Sequence, residues 1–382
     1  MAELIKRAPV DVKIASVDIA KDGNADIKVR LGKNTTTAPE RITLYINGAQ
    51  VLTEAERELK GAKPGDILKY TAALFEKKNH IRVTVENQWA ENSHETTVES
   101  ETKGSQYGKG TLYVVAAGIS HYPELPLEQQ LKSPPLDARG IAAQLQKLEG
   151  TLYKKVDIKI LTDDRNTIIT SDMVEKALRE QTEKAGALDT TILFLAGHGV
   201  TDAQGSYHFV TADTKILSAW GEQLNMKQGT SLDWKRLHSI LDKTMGRRVV
   251  FVDTCQAGEV FSDNKTDIKR LVKDIHDVNA IVYSGTSRQD AGVETSKGGV
   301  FTLSMLSGFD GKAAYDGNIL PFTRLRDYVD KEVPRLNRDI MLGLYRDLKI
   351  KQTKEEDVNF DGVQKPVAVM PTGMERFIIY AR

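Results

Sequence analysis

Two side chains with reactive chemistry stand at matching places in the chain. His198 closes the run Thr-Ile-Leu-Phe-Leu-Ala-Gly-His-Gly (191–199), and Cys255 follows Val-Val-Phe-Val-Asp-Thr in the run at 249–258. In both, an apolar strand pattern gives way to a turn of small residues that carries one reactive group. An imidazole beside a thiol yields a thiolate near neutral pH, and a thiolate attacks acyl carbons. Cys255 is the only cysteine in 382 residues. A chain that places its one thiol after a buried strand points to a nucleophile rather than a packing residue. His198 lies between Gly197 and Gly199, which let the backbone bend sharply and a substrate come close. His80, His94, His121, His208, His238 and His276 have no such setting.

The elements that would position the two groups follow from the hydrophobic pattern. Thr111 to Ile119 is a continuous apolar run, followed by a proline-rich loop from Pro123 to Pro135 and by amphipathic helical spacing over Leu136 to Leu148. Strands are predicted at Val156 to Leu161, Thr191 to Ala196 and Arg248 to Val252. Helices are predicted at Ser171 to Ala185, with Ser171 as N-cap, and at Ser231 to Lys243. Further strands at Ala280 to Ser284 and Phe377 to Tyr380, and a helix at Leu325 to Leu336, complete the pattern. Strands alternating with helices imply right-handed crossovers and a mostly parallel sheet. Such sheets keep reactive residues at the carboxyl ends of their strands, where His198 and Cys255 both fall.

These two motifs, Ala-Gly-His-Gly and Asp-Thr-Cys-Gln-Ala-Gly, resemble the histidine and cysteine motifs of the caspase and metacaspase clan of cysteine proteases. The two residues are 57 positions apart, in keeping with the spacing of roughly 50 that caspases show. The resemblance covers about residues 110 to 380. It implies a caspase-like α/β domain with His198 as base, Cys255 as nucleophile, and the backbone amides of Gly199 and Cys255 as the oxyanion hole. It calls for no third residue to orient His198. Asp253 stands where metacaspases and their bacterial relatives carry aspartate, and Asp137, in Pro-Leu-Asp-Ala (135–138), matches an aspartate at the start of their first helix. Together they imply a pocket for arginine or lysine before the scissile bond, recognised by charge-assisted hydrogen bonds. From the sequence alone, Asp137 also reads as a first-turn residue favoured by the helix dipole.

Two departures stand out. Ala196 occupies a position where metacaspases often carry serine, and the short loop 200–208 holds one acid, so calcium dependence does not carry over. No metal or cofactor is expected. Asp-Gly-Asn (316–318) and Asn-Phe-Asp-Gly (359–362) read as turns. The lysine-rich stretch 261–275 is either a solvated helix or the counterpart of the caspase activation site.

Residues 9 to 98 follow a different rule, with short alternating runs at Val10 to Ser16, Ala25 to Leu31, Ile42 to Ile46, Ile67 to Ala73 and His80 to Asn87 between turns. This predicts a small antiparallel, immunoglobulin-like sandwich. The polar, glycine-rich stretch 99–110 reads as a linker. The expected organisation is a sandwich over 1–104 and a caspase-like peptidase domain over 105–382. Lysine plus arginine and aspartate plus glutamate number 53 each, so no global field favours nucleic acid or membrane. Neither a leader nor a stretch of about 18 apolar residues is evident, and a cytoplasmic protein is expected. The partners expected are a protein or peptide substrate and a regulatory partner bound through the N-terminal domain. A catalytically silent adaptor of the same fold, or another thiol acyltransferase, remains open from sequence.

Overall fold

The computed structural model describes residues 9–33, 38–55, 59, 61–74, 76–101, 108–163, 167–201, 206–220, 223–227, 229–254, 279–286, 293–347 and 363–382. Seven strands come first: β1 (Val12–Ile19), β2 (Asn24–Leu31), β3 (Arg41–Ile46), β4 (Ala49–Ala55), β5 (Ile67–Ala73), β6 (Lys78–Glu86) and β7 (Glu91–Glu99). They form two antiparallel sheets, ordered β1-β2-β5 and β4-β3-β6-β7. Alternation explains the pairing: Ile27, Val29 and Leu31 of one sheet meet Ile42, Leu44, Val83 and Val85 of the other in a common core. Five of these strands are legible as apolar–polar alternation. β4, with no alternation, and the polar β7 are not, and β7 alternates half-buried with exposed positions from Asn92 onward. The expected boundary between 104 and 105 lies outside the described residues.

The second part is a six-stranded sheet with helices on both faces. Five strands run parallel: β8 (Thr111–Gly118), β9 (Lys155–Thr162), β10 (Thr190–Gly197), β16 (Arg247–Thr254) and β17 (Ala280–Ser284). Short β21 (Val367–Val369) joins antiparallel at the edge, giving the order β21-β17-β16-β10-β8-β9. Between β10 and β16 lie β11 (Gly199–Thr201), β12 (Tyr207–Phe209), β13 (Ile216–Trp220), β14 (Gln223–Met226) and β15 (Leu232–Asp233). After β17 come the hairpin β18 (Glu294–Thr295) and β19 (Gly298–Gly299), then β20 (Ile319–Pro321) and β22 (Ile378–Ala381). The strand predicted at Phe377 to Tyr380 therefore exists, but it pairs with β20 rather than with the main sheet.

Period-two alternation decides which strand residues face which helices. On one face, Val114, Phe194, Phe251 and Tyr283 pack under α1 (Pro134–Gln146), α4 (Val300–Ser307) and α5 (Phe322–Asp347). On the other, Val115, Leu193, Val250 and Val282 pack under α2 (Ser171–Thr182) and α3 (Trp234–Leu241). Asp253, two residues after Phe251, belongs by this count to the α1 and α4 face. The N-cap of α2 is Thr170, whose hydroxyl accepts from the Met173 N–H at 3.3 Å, while the Ser171 side chain turns to Asp213 instead.

The two parts meet at the amino end of β16. Gln50 and Gly246 exchange two backbone hydrogen bonds of 2.9 Å each. Fully buried Arg248 donates to Gln50 Oε1 at 2.8 Å and to the Leu241 carbonyl at 3.1 Å, and its guanidinium lies 5.7 Å from the centre of the Tyr45 ring. Arg41 bridges Glu86 of its own sheet and Asp242 at the end of α3, and Asn279 donates to the Gly48 carbonyl at 2.8 Å.

Candidate active site

His198 is set by the way β10 ends. Gly197 adopts φ +150°, and a Cβ there would come within 2.6 Å of the Tyr122 hydroxyl, so only glycine fits this turn. The His198 N–H donates to the Tyr122 hydroxyl at 2.8 Å, which in turn donates to the Ile119 carbonyl at 2.8 Å. The two rings pack with centroids 4.7 Å apart. On the far side of the imidazole, Nε2 lies 2.7 Å from the Gln129 carbonyl oxygen. A carbonyl only accepts, so this contact fixes the neutral tautomer with the proton on Nε2 and the lone pair on Nδ1. Burial pushes the His198 pKa down, opposed by the Gln129 hydrogen bond and by the negative charge of Glu294.

The loop that supplies Gln129 is itself held. Asp163, at the end of β9, accepts from the Ser120 N–H at 2.9 Å and the His121 N–H at 2.6 Å. Gln130 bonds both the N–H and the carbonyl of Tyr122 through its side chain. Gly199 begins β11, where a bond of 3.0 Å from the Val210 N–H to the His198 carbonyl makes Gly199–Phe209 a non-hydrogen-bonded pair. The Gly199 N–H therefore faces away from β12.

Cys255 lies outside the described residues. Its chain neighbour Thr254 ends β16 in register with Gly197, the neighbour of His198, and adjacent strands lie about 4.8 Å apart. The stretch 261–275 and residues 287–292 also lie outside, as do residues 359–362.

Asp137 and Asp253 converge. Asp137, 3% exposed, accepts the Gly299 N–H at 3.0 and 3.1 Å through its two oxygens, and the nearby Ser133 favours its ionised form. Asp253 Oδ2 accepts from the Thr302 hydroxyl at 2.5 Å and from its N–H at 3.3 Å. A Cβ on Gly299 would sit 2.6 Å from Asp253 Oδ2 and 3.3 Å from Asp137 Oδ2, so both carboxylates close on this glycine, where a side chain would clash. Burial is the largest influence on each, and it pushes both carboxyls above the usual range; the charge of Asp253 raises Asp137 further. Two such groups at close quarters share protons as a pair. Among the described residues neither has a lysine or arginine in ion-pair contact.

Four groups at this site carry no individual role in the sequence reading: Tyr122, the Gln129 carbonyl, Glu294 and Thr302. Glu294 accepts the N–H groups of Lys132, at 2.5 Å, and of Ser133, and its charge acts on Asp137, Asp253 and His198 alike. Glu294 and Thr302 lie in the runs Ser287 to Glu294 and Gly298 to Leu303, which resemble the loop and following helix that complete the substrate groove in relatives, a likeness that supports the fold more than any individual role. A backbone carbonyl such as that of Gln129 has no residue-type signature at all.

The caspase domain of peptidase family C14 matches residues 112–354, more than half of the chain. The chain belongs to the caspase family. Its members are cysteine peptidases, and the central parallel sheet flanked by helices is the caspase fold. Caspase-1 from Spodoptera frugiperda is similar at 11% identity and a TM-score of 0.41, over 69% of this chain and 87% of that one. A structural-genomics target protein from Geobacter sulfurreducens is similar at 15% identity and a TM-score of 0.39, over 58% of this chain and 88% of that one. No curated protein matches the chain. Among the described residues of this caspase, no three His, Cys, Asp or Glu side chains gather to hold a metal ion, and no helix is long and apolar enough to cross a membrane. A cavity of about 330 Å³ opens at the seam with the N-terminal sheets, between Lys78, His80 and Arg376, and neither His198, Asp137 nor Asp253 lines it.

Proposed function

We propose that this caspase is an endopeptidase that cleaves after arginine or lysine, with His198 as base and Cys255 as nucleophile. The observation that carries the specificity is the convergence of Asp137 and Asp253, two desolvated carboxylates with hydrogen-bond donors around them and no cation in ion-pair contact among the described residues. A guanidinium or ammonium entering there supplies the missing charge and draws both carboxylates into their ionised form. The contact between Nε2 and Gln129 supports His198 as base, because it leaves Nδ1 free to take a proton from the Cys255 thiol.

In this reading the Cys255 sulfur attacks the scissile carbonyl carbon while His198 holds the thiol proton. The Gly199 and Cys255 N–H groups receive the developing oxyanion. The C–N bond then breaks, the leaving amine takes the proton from His198, and a thioester remains on Cys255. Water, deprotonated by His198, hydrolyses it and restores the thiol. The N-terminal part is read as an immunoglobulin-like module, supported by its partition into strands one, two and five against three, four, six and seven. Its seam with β16 makes it a brace for the peptidase sheet as well as a surface for a regulatory partner.

Covalent labelling tests this assignment. A peptidyl-arginine chloromethyl ketone is expected to add one inhibitor mass to Cys255, and the adduct to be lost in His198→Ala. Equal labelling by the aspartyl analogue would exclude the basic pocket, and labelling that persists undiminished in His198→Ala would exclude the base.

A further inference from the structure

The loop that holds the imidazole and the helix that carries a pocket carboxylate are consecutive in sequence. Gln129, at the end of a short helical turn (Leu127–Gln129), bonds His198 Nε2. Four residues on, Ser133 stands at the N-cap of α1, and its carbonyl accepts the Asp137 N–H at 3.0 Å. Pro134 and Pro135 bring no N–H to the first turn of α1, which has no side-chain cap, and the N–H groups of Lys132 and Ser133 just before it need an acceptor from outside the helix. Glu294 supplies it. One oxygen of its carboxylate accepts from the N–H groups of both Lys132 and Ser133. The hairpin that begins with Glu294 ends at Gly299, whose N–H binds Asp137, so the hairpin grips the start of α1 at two points.

Resting on the proteolytic reading above, we propose that Glu294 is a positioning residue: its hydrogen bonds to Lys132 and Ser133 tie the loop that orients His198 to the pocket of Asp137 and Asp253. The side chain acts as an acceptor of two amides, and its negative charge is secondary. Occupancy of the pocket and alignment of the base are thereby set through one link. A cationic residue that draws the hairpin toward Asp137 also tightens the loop behind the imidazole.

Acceptor and charge separate in two variants. Glu294→Gln keeps an oxygen that accepts the same two amides and loses the charge, whereas Glu294→Ala loses both. Cleavage of an arginyl peptide and amide hydrogen exchange at Lys132 and Ser133 are measured on the full chain. Glu294→Gln is expected to keep kcat within about twofold of wild type, with native exchange. Glu294→Ala is expected to lower kcat at least tenfold and to speed exchange at both amides, with a much smaller change in KM. A Glu294→Gln variant as impaired as Glu294→Ala would assign the effect to charge and overturn the proposal. Unchanged exchange in Glu294→Ala would overturn it as well. If the wild type cleaves no arginyl peptide, the proteolytic reading falls, and the exchange arm alone decides whether the link exists.

Discussion

At its amino end β16 buries the guanidinium of Arg248, and at its carboxyl end the same strand holds the carboxylate of Asp253. Arg248 sits among neutral acceptors and an aromatic face: its Nη1 donates to Gln50 and to the Leu241 carbonyl and its guanidinium lies over Tyr45, while its Nε and Nη2 have no hydrogen-bond partner among the described residues. Asp253 faces a second carboxylate and, among the described residues, has the Thr302 N–H and hydroxyl as its donors. Burial of charge is thus common to both ends, and what differs is the company each charge keeps. A buried charge whose partners are built in belongs to the fold. One left beside a like charge, with no cation in ion-pair contact among the described residues, is a candidate for binding something that arrives.

The largest effect expected from breaking this contrast is at the lower end. Arg248→Ala leaves a cavity and strips Gln50 of its donor, which costs about 3–5 kcal/mol, read as a fall in the urea midpoint with the slope unchanged. At the upper end the response is expected to be opposite in kind. Asp253→Asn and Asp137→Asn leave stability at pH 8 unchanged or higher, because a like-charge repulsion disappears. Each raises KM for an arginyl peptide by about a hundredfold, since one buried charge partner is lost.

The same contrast has a pH signature. Both carboxyls titrate higher in the folded protein than in the unfolded chain, so the folded state binds more protons in between. Their contribution is fully present below the usual carboxylate pKa of 3.8 and is lost as pH rises through the raised folded values. Chemical unfolding across that range is expected to show stability falling with pH in the wild type and a flatter profile in Asp137→Asn. The smallest effect is expected from Thr302→Val, which removes one donor from Asp253 and is set to raise KM for the arginyl peptide by about tenfold.

The parallel sheet was legible because its strands are buried on both faces and read as unbroken apolar runs, as Thr191 to Ala196 does. His198 was legible because glycine is required beside it, and Gly197 indeed takes a conformation other residues avoid. Strand β7 escaped detection because both of its faces are polar, so alternation carries no signal. The link from Gln129 to His198 escaped because a main-chain acceptor is the same atom in every residue. Glu294 lies more than 150 positions from the amides it binds, and nothing local marks that role. The N-cap of α2 was misplaced by one residue because Thr170 and Ser171 are equally able caps, and the choice depends on Asp213, distant in sequence.

The central claim is that the upper end of β16 awaits a cation next to a thiol nucleophile. Hydrolysis of fluorogenic peptides ending in arginine, lysine, aspartate or alanine, by wild type and by Cys255→Ala, tests it most directly. The account predicts cleavage after arginine and lysine that vanishes in the variant, with aspartate and alanine peptides untouched. Preference for aspartate, or cleavage that survives in Cys255→Ala, would contradict it.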